Sequence, residues 1–206
     1  DSKVKNKKLL FLNEMGIDPG IDHMSAMKII DEVQNVGGKI LHFYSFCGGL
    51  PAPEHNNNPF GYKFSWSPKG VVLASRNSAH YLENGKIITI EGKNLFKNPR
   101  QEHITNLGTF EVYPNRDSMP YKDLYGLKDA VTVMRGTYRN VGWCETLKAI
   151  VDLGFIDDTS DASLIGKSYK KMVVKLLNIK DLKDIQSEIS QKLQIDRESP
   201  ILERLE

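Results

Sequence analysis

Residues 24–46 read MSAMKIIDEVQNVGGKILHFYSF, and the change of period inside this stretch decides the fold. Met24, Met27, Ile30 and Val33 recur at the spacing of one helix face, and Gly37-Gly38 stops the helix, because glycine takes the left-handed conformation that ends one. Residues 39–46 then alternate and are rich in aromatic and aliphatic side chains, as a strand is. Upstream, Leu9-Leu10-Phe11-Leu12 is a compact apolar run ended by Asn13-Glu14-Met15-Gly16, which predicts a buried strand. A strand, a helix and a strand in this order predict a parallel unit of the α/β kind, with Asp18-Pro19-Gly20 as the turn into the helix.

Beyond that unit, residues 48–59 hold three prolines, two glycines and three successive asparagines, a composition that sustains neither helix nor ladder. Ser67 and Pro68 have the cap and first-turn chemistry of a helix leading into residues 71–81. Strands are predicted at 86–90 and 109–113 around a charged linker, 93–103, and a third at 130–135 with Thr137 at its exit. Residues 141–153 return to helical periodicity. After Gly154, residues 163–177, 182–193 and 201 to the end are polar, lysine-rich and helical in pattern, with turns at Asn178 and Pro200. The expected organisation is an α/β domain with a mixed sheet over residues 1–155 and a small all-helical subdomain over 156–206.

Composition narrows the class. A chain of 206 residues buries one core, or one core and a small satellite. The formal net charge of +2 comes from nearly balanced acids and bases, so no basic face points to nucleic acid. No apolar run approaches the roughly 20 residues that cross a bilayer, and Asp1-Ser2-Lys3-Val4-Lys5 lacks a signal peptide's apolar stretch. Cys47 and Cys144 have no partner at metal-ligand spacing, which predicts free thiols, a reducing compartment and no metal site.

Several residues have the chemistry for a site. Asp18 follows the first predicted strand, where open α/β sheets place ligands, although a helix cap is the ordinary role of such an Asp. His23 in the first helical turn reads as packed or solvated, and Cys144 as core. Cys47 ends the second strand beside Gly48-Gly49, so its sulfur shares the Asp18 crevice if the strands are neighbours. Arg116 and Arg139 follow strands and can grip carboxylates through a planar fork, the alternative being a surface ion pair such as Arg116 with Asp117. Phe60, Tyr62, Phe64 and Trp66 alternate like a half-buried strand of core or interface. Gly48-Gly49 is no dinucleotide fingerprint, since the G-x-G-x-x-G spacing is absent.

The segments 13–23 (NEMGIDPGIDH), 47–54 (CGGLPAPE), 58–67 (NPFGYKFSWS), 113–118 (YPNRDS) and 135–139 (RGTYR) together resemble the glutamate-forming saccharopine dehydrogenases, most nearly the dehydrogenase half of the animal bifunctional enzymes. The resemblance runs from residue 9 to about 155. It implies a Rossmann domain before residue 1, a sheet domain that binds saccharopine and forms a homodimer, and an all-helical insertion, with a further segment after residue 206. It also implies oxidation of saccharopine by NAD or NADP to glutamate and 2-aminoadipate 6-semialdehyde, the nucleotide being bound mainly by the absent domain, so that this chain alone is inactive. By resemblance Asp18 and Cys47 lie at the reacting carbon, Arg116, Thr137, Tyr138 and Arg139 contact substrate, and Asp18, Pro19 and Gly20 border the nicotinamide. Tyr138 and Asn140 depart from the Leu and Tyr that the family pattern leads one to expect. An animal-type protein would be mitochondrial, any other cytoplasmic. The competing reading is a non-catalytic dimerisation or binding module that keeps the fold.

Overall fold

The computed structural model describes residues 5, 7 and 9–205; residues 1–4, read above for a leader, lie outside them. Residues 24–46 fold as their periods predict. Helix α1 is Ile21–Asn35 and strand β1 is His42–Cys47. Ile30 is buried on the inner face of α1. Gly37 takes φ 77°, and the Gly38 N–H donates to Val33 O at 2.9 Å, the closure that satisfies a helix's last carbonyls. The strand expected at residues 9–12 does not form. Leu9, Leu10, Phe11 and Leu12 are all exposed, since an apolar run specifies a strand only when a neighbour completes its ladder.

The parallel partner of β1 is β6, Thr132–Asn140, with His42 to Cys47 against Thr132 to Thr137. The remaining strands are β2 (Ala79–Glu83), β3 (Lys86–Ile90), β4 (Arg100–Ile104) and β5 (Gly108–Pro114). They pair antiparallel in the order β3-β2-β6-β5-β4, giving a six-stranded mixed sheet in which β6 also takes β1. The mixed α/β class is as expected, but three boundaries differ. Helix α2 stops after Pro68–Ala74, capped by Ser67 Oγ on the Gly70 N–H, and residues 79–83 are a strand. The two-residue turn Asn84-Gly85, both at positive φ, ties them into a hairpin with β3, a turn chemistry that outweighs the preceding helical pattern. The charged linker contains β4, an edge strand whose Arg100, Gln101 and His103 are exposed. Finally, β6 runs on to Asn140, so Thr137 lies inside the strand and not at its exit.

Two apolar clusters pack on the sheet. Ile30, Leu82, Tyr125, Leu127 and Val133 sit beneath α1 and the short helix α3 (Pro120–Leu124). Tyr62, Val71, Phe96, Trp143, Leu147 and Ile156 surround α4 (Trp143–Asp152). Residues 60–66 are loop, not strand, with Tyr62 buried and Phe64 and Trp66 exposed. The tail forms α5 (Tyr169–Leu177), α6 (Ile185–Leu193) and α7 (Pro200–Leu205). Ser168 and Asp184 cap the first two, and Asn178 turns at φ 53°. Arg204 of α7 donates to Gly142 O at 3.0 Å and pairs with Glu145, holding the tail on α4.

The start of α4 depends on Glu111 of β5, whose buried carboxylate accepts from the Gly142 and Cys144 N–H groups at 2.9 and 2.8 Å. A carboxylate at a helix N-terminus is doubly favoured, by hydrogen bonding and by the peptide dipoles. Glu111→Ala should therefore lower unfolding stability by about 1–3 kcal/mol, read as a fall in the urea midpoint at constant slope; an unchanged midpoint contradicts this account of the helix start.

Candidate active site

Side chains on a strand alternate between faces, so Arg135, Thr137 and Arg139 of β6 point to one side of the sheet and Gly136, Tyr138 and Asn140 to the other. The first set lines a cleft of about 660 Å³. Asp18, Pro19, Cys47, Arg116, Thr137 and Arg139, all singled out by the sequence, meet around it. Gly20 is not at its surface, and Tyr138 is on the opposite face, in edge contact with Phe46 and Phe110. Tyr138, expected to touch substrate, is therefore not among the residues that line the cleft, because the two-residue period of its strand turns its ring away. The expected Tyr at position 140 is an Asn that donates from Nδ2 to Gly61 O at 2.6 Å.

Asp18 is not a helix cap. Gly20 begins α1 with no side-chain cap bond from Asp18; Asp22 Oδ1 instead accepts the Gly20 N–H at 2.7 Å. Gly20 has φ 150°, and a Cβ there would lie 2.1 Å from Gly16 O, so only glycine closes this loop. The closure leaves Asp18 at the cleft, its Oδ1 2.8 Å from Arg135 Nη2.

Arg116 occupies the left-handed region at φ 50°, a conformation costing a non-glycine residue about 1–3 kcal/mol. The surrounding strands impose it. His80 N–H donates to Arg116 O at 2.8 Å and Asn115 N–H to Arg135 O at 2.9 Å, bolting the turn between β2 and β6. Asp117, the expected partner of Arg116, accepts instead from the Met119 N–H. Arg116 has no ion pair among the described residues.

Arg139 is 6 % exposed and has no ion pair among the described residues. Its guanidinium carbon lies 4.9 Å from the Tyr62 ring centroid, 5.3 Å from that of Trp143 and 5.9 Å from that of Tyr113. Nη1 donates to Tyr138 O at 2.8 Å, and Nε has no hydrogen-bond partner among the described residues. Aromatic faces offset only part of the desolvation of a cation. The loop carrying Tyr62 is fixed by Asn58, whose Nδ2 donates to Tyr62 O at 2.8 Å.

Two neighbouring groups stay neutral. Burial pushes the Cys47 thiol up from its ordinary value, with the Asp18 carboxylate adding to the shift, so it is a weak donor at neutral pH and not a thiolate. Burial likewise pushes up the Tyr113 phenol.

Arg135, Asp22 and Tyr121 are absent from the residues expected by sequence. Arg135 stacks 4.4 Å above the Tyr121 ring, donates to its hydroxyl at 2.6 Å and bridges Asp18 and Asp22. The i, i+2, i+4 spacing of Arg135, Thr137 and Arg139 would have revealed it once β6 was given its full length. His23 is packed, as read: its Nδ1 is 2.5 Å from the Tyr125 hydroxyl and its ring stacks on Tyr121. Nε2 lies 3.4 Å from Glu14 without hydrogen-bond alignment. Burial pushes Tyr125 up to about 12. Cys144 is fully buried. Among the described residues no cluster of three or more His, Cys, Asp or Glu is placed to hold a metal, and no helix is long and apolar enough to cross a membrane.

Compared with known proteins, the saccharopine dehydrogenase C-terminal domain family matches residues 16–200. The saccharopine dehydrogenase [NADP(+), L-glutamate-forming] of Schizosaccharomyces pombe is 52% identical over 153 residues, 74% of this chain and 34% of that protein. The mitochondrial alpha-aminoadipic semialdehyde synthase of Rattus norvegicus is 43% identical over 162 residues, 76% of this chain and 17% of that protein. Of these two relatives the fungal protein has the higher identity, and both kinds of relative named by the resemblance are matched. Apo histidine-tagged saccharopine dehydrogenase (L-Glu forming) from Saccharomyces cerevisiae superposes with a TM-score of 0.84 at 43% identity, covering 93% of this chain and 44% of that one. The chain spans about a third of the length of the fungal relative.

The neutral thiol has a chemical signature. Because burial and the Asp18 carboxylate both disfavour the thiolate, Cys47 should be alkylated by iodoacetamide at pH 8 at least about 10-fold more slowly than a free cysteine. Asp18→Asn should speed the reaction, as read by mass spectrometry. Alkylation at the free-cysteine rate contradicts the assignment.

Proposed function

This chain belongs to the saccharopine dehydrogenase C-terminal domain family, and we propose that it supplies the substrate-binding part of an oxidoreductase of lysine degradation that converts saccharopine to glutamate and 2-aminoadipate 6-semialdehyde. The observation that carries this reading is Arg139, a buried guanidinium without a carboxylate partner, facing the same cleft as Arg116 and Asp18. A guanidinium in that state gains most from a planar anion, and the ligand in question is an adduct of two amino acids with carboxylates at its ends. Arg116 and Arg139 hold those carboxylates, and Thr137 contributes a hydroxyl between them.

When bound, a nicotinamide supplies the hydride acceptor that turns the secondary amine into an imine, which water hydrolyses. The residues of this chain fit only the border of that group. Asp18 and Pro19 stand at the cleft rim, with Gly20 behind them, but Asp18 and Asp22 make the start of α1 acidic, which disfavours a pyrophosphate. The phosphates of NAD or NADP are held by other parts of the protein. Asp18 faces the reacting nitrogen, where a carboxylate orients the amine and accepts its proton. Cys47, as a neutral thiol, steadies Asp18 and is not a nucleophile. Tyr62 and Trp66 also line the cleft. We further infer a homodimer through the opposite sheet face, where Tyr44 is 42% exposed and Phe46, Phe110 and Tyr138 are half-buried.

Two measurements test these readings. In the protein carrying its nucleotide-binding portion, Arg116→Ala and Arg139→Ala should each raise the KM for saccharopine by about 10- to 100-fold, the loss of a charged hydrogen bond; unchanged kinetics favour a non-catalytic module. Tyr138→Glu should move the sedimentation coefficient to that of a monomer, and a persisting dimer removes this face from consideration.

A further inference from the structure

The arginines lining the cleft divide into two kinds. Arg116 and Arg139 meet no carboxylate among the described residues, whereas Arg135 Nη2 lies 2.8 Å from Asp18 Oδ1 and 3.0 Å from Asp22 Oδ2. Arg135 is also held from below by the ring and hydroxyl of Tyr121, and at its backbone N–H by Ser118 Oγ at 2.9 Å. Its side chain is 12% exposed. An anion approaching it meets the fields of Asp18 and Asp22 first, so it is a poor third gripping point for a substrate carboxylate. It is well made for another task. Asp22 joins the Gly20 N–H through one oxygen and Arg135 through the other, so the Asp18 loop is fastened to β6 at two points.

We infer that Arg135 is a positioning residue that sets Asp18 against the reacting nitrogen, while Arg116 and Arg139 are the cleft arginines that take substrate carboxylates. The inference deepens the saccharopine reading above and rests on it for the identity of the reacting nitrogen. Burial opposes the charge of Arg135, but Tyr121, Asp18 and Asp22 outweigh it and hold the guanidinium above its ordinary pKa. The cation is therefore present at every working pH, and Asp18 always has its counter-charge in place.

The test is steady-state oxidation of saccharopine by the complete protein with Arg135→Gln, Asp18→Asn, both together, and Arg135→Lys. Arg135→Gln should lower kcat about 100-fold, the effect of a misplaced group, with KM within about 3-fold of the wild type. The double variant should be no slower than Asp18→Asn, because Arg135 acts through Asp18. Arg135→Lys, which keeps the cation, should recover kcat to within about 10-fold and decides the matter if the glutamine variant does not fold. A KM raised at least about 30-fold at unchanged kcat, in either Arg135 variant, means that Arg135 grips substrate and overturns the inference. So does a double variant whose loss is the product of the single losses. If the wild-type protein does not oxidise saccharopine, the substrate reading fails by itself, and amide exchange then judges Arg135. Arg135→Lys should speed exchange at Gly20 and Ile21 at least about 10-fold while the β5–β6 ladder is unchanged; equal exchange at those amides overturns the inference.

Discussion

A cation taken out of water needs an anion or a good substitute, and Arg139, across the β5–β6 ladder from the buried Glu111, makes no ion pair among the described residues. Arg139 sits among Tyr62, Tyr113 and Trp143 with an unpartnered Nε. Its place is dictated by β6, which pairs with β1, β2 and β5 and so cannot shift register without breaking three ladders. A slip of one residue would turn Arg135, Thr137 and Arg139 to the other face together. The strand that centres the fold is therefore also the ruler of the site.

Everything else at the cleft is brought to that ruler by backbone geometry. The loop closed by Gly20 delivers Asp18, and the bolted turn between β2 and β6 delivers Arg116 in a conformation that side chains ordinarily avoid. Removing one partner of a largely buried ion pair costs about 3–5 kcal/mol, so the Arg135 bridge to Asp18 and Asp22 joins site and fold in one contact. Arg139, by contrast, makes no ion pair among the described residues, although the buried Glu111 stands opposite it across the β5–β6 ladder.

Much of this was legible in the residues. The helix and strand of residues 24–46, the Ser67 cap and the tail helices follow from periodicity and capping, which are local. Misreadings came where pairing decides. Residues 9–12 are apolar enough for a strand yet pair with no strand among the described residues, and residues 79–83 look helical until the Asn84-Gly85 turn folds them onto β3. Asp18, Cys47, Arg116, Thr137 and Arg139 come from distant segments, and no spacing could unite them; the family resemblance did. The same resemblance could not separate Tyr138 from its neighbours, because only the pleat assigns faces. Arg135 was hidden by ending β6 too early.

In the function proposed, Arg139 makes no ion pair until saccharopine brings a carboxylate to it. Thermal unfolding of Arg139→Met, with and without saccharopine, tests it in the protein that carries its nucleotide-binding portion. Methionine keeps much of the volume and removes the buried charge, so the ligand-free variant should unfold at the same temperature or higher, and added saccharopine should no longer raise it. A ligand-free variant that melts several degrees lower, and is still stabilised by saccharopine as the wild type is, contradicts the account.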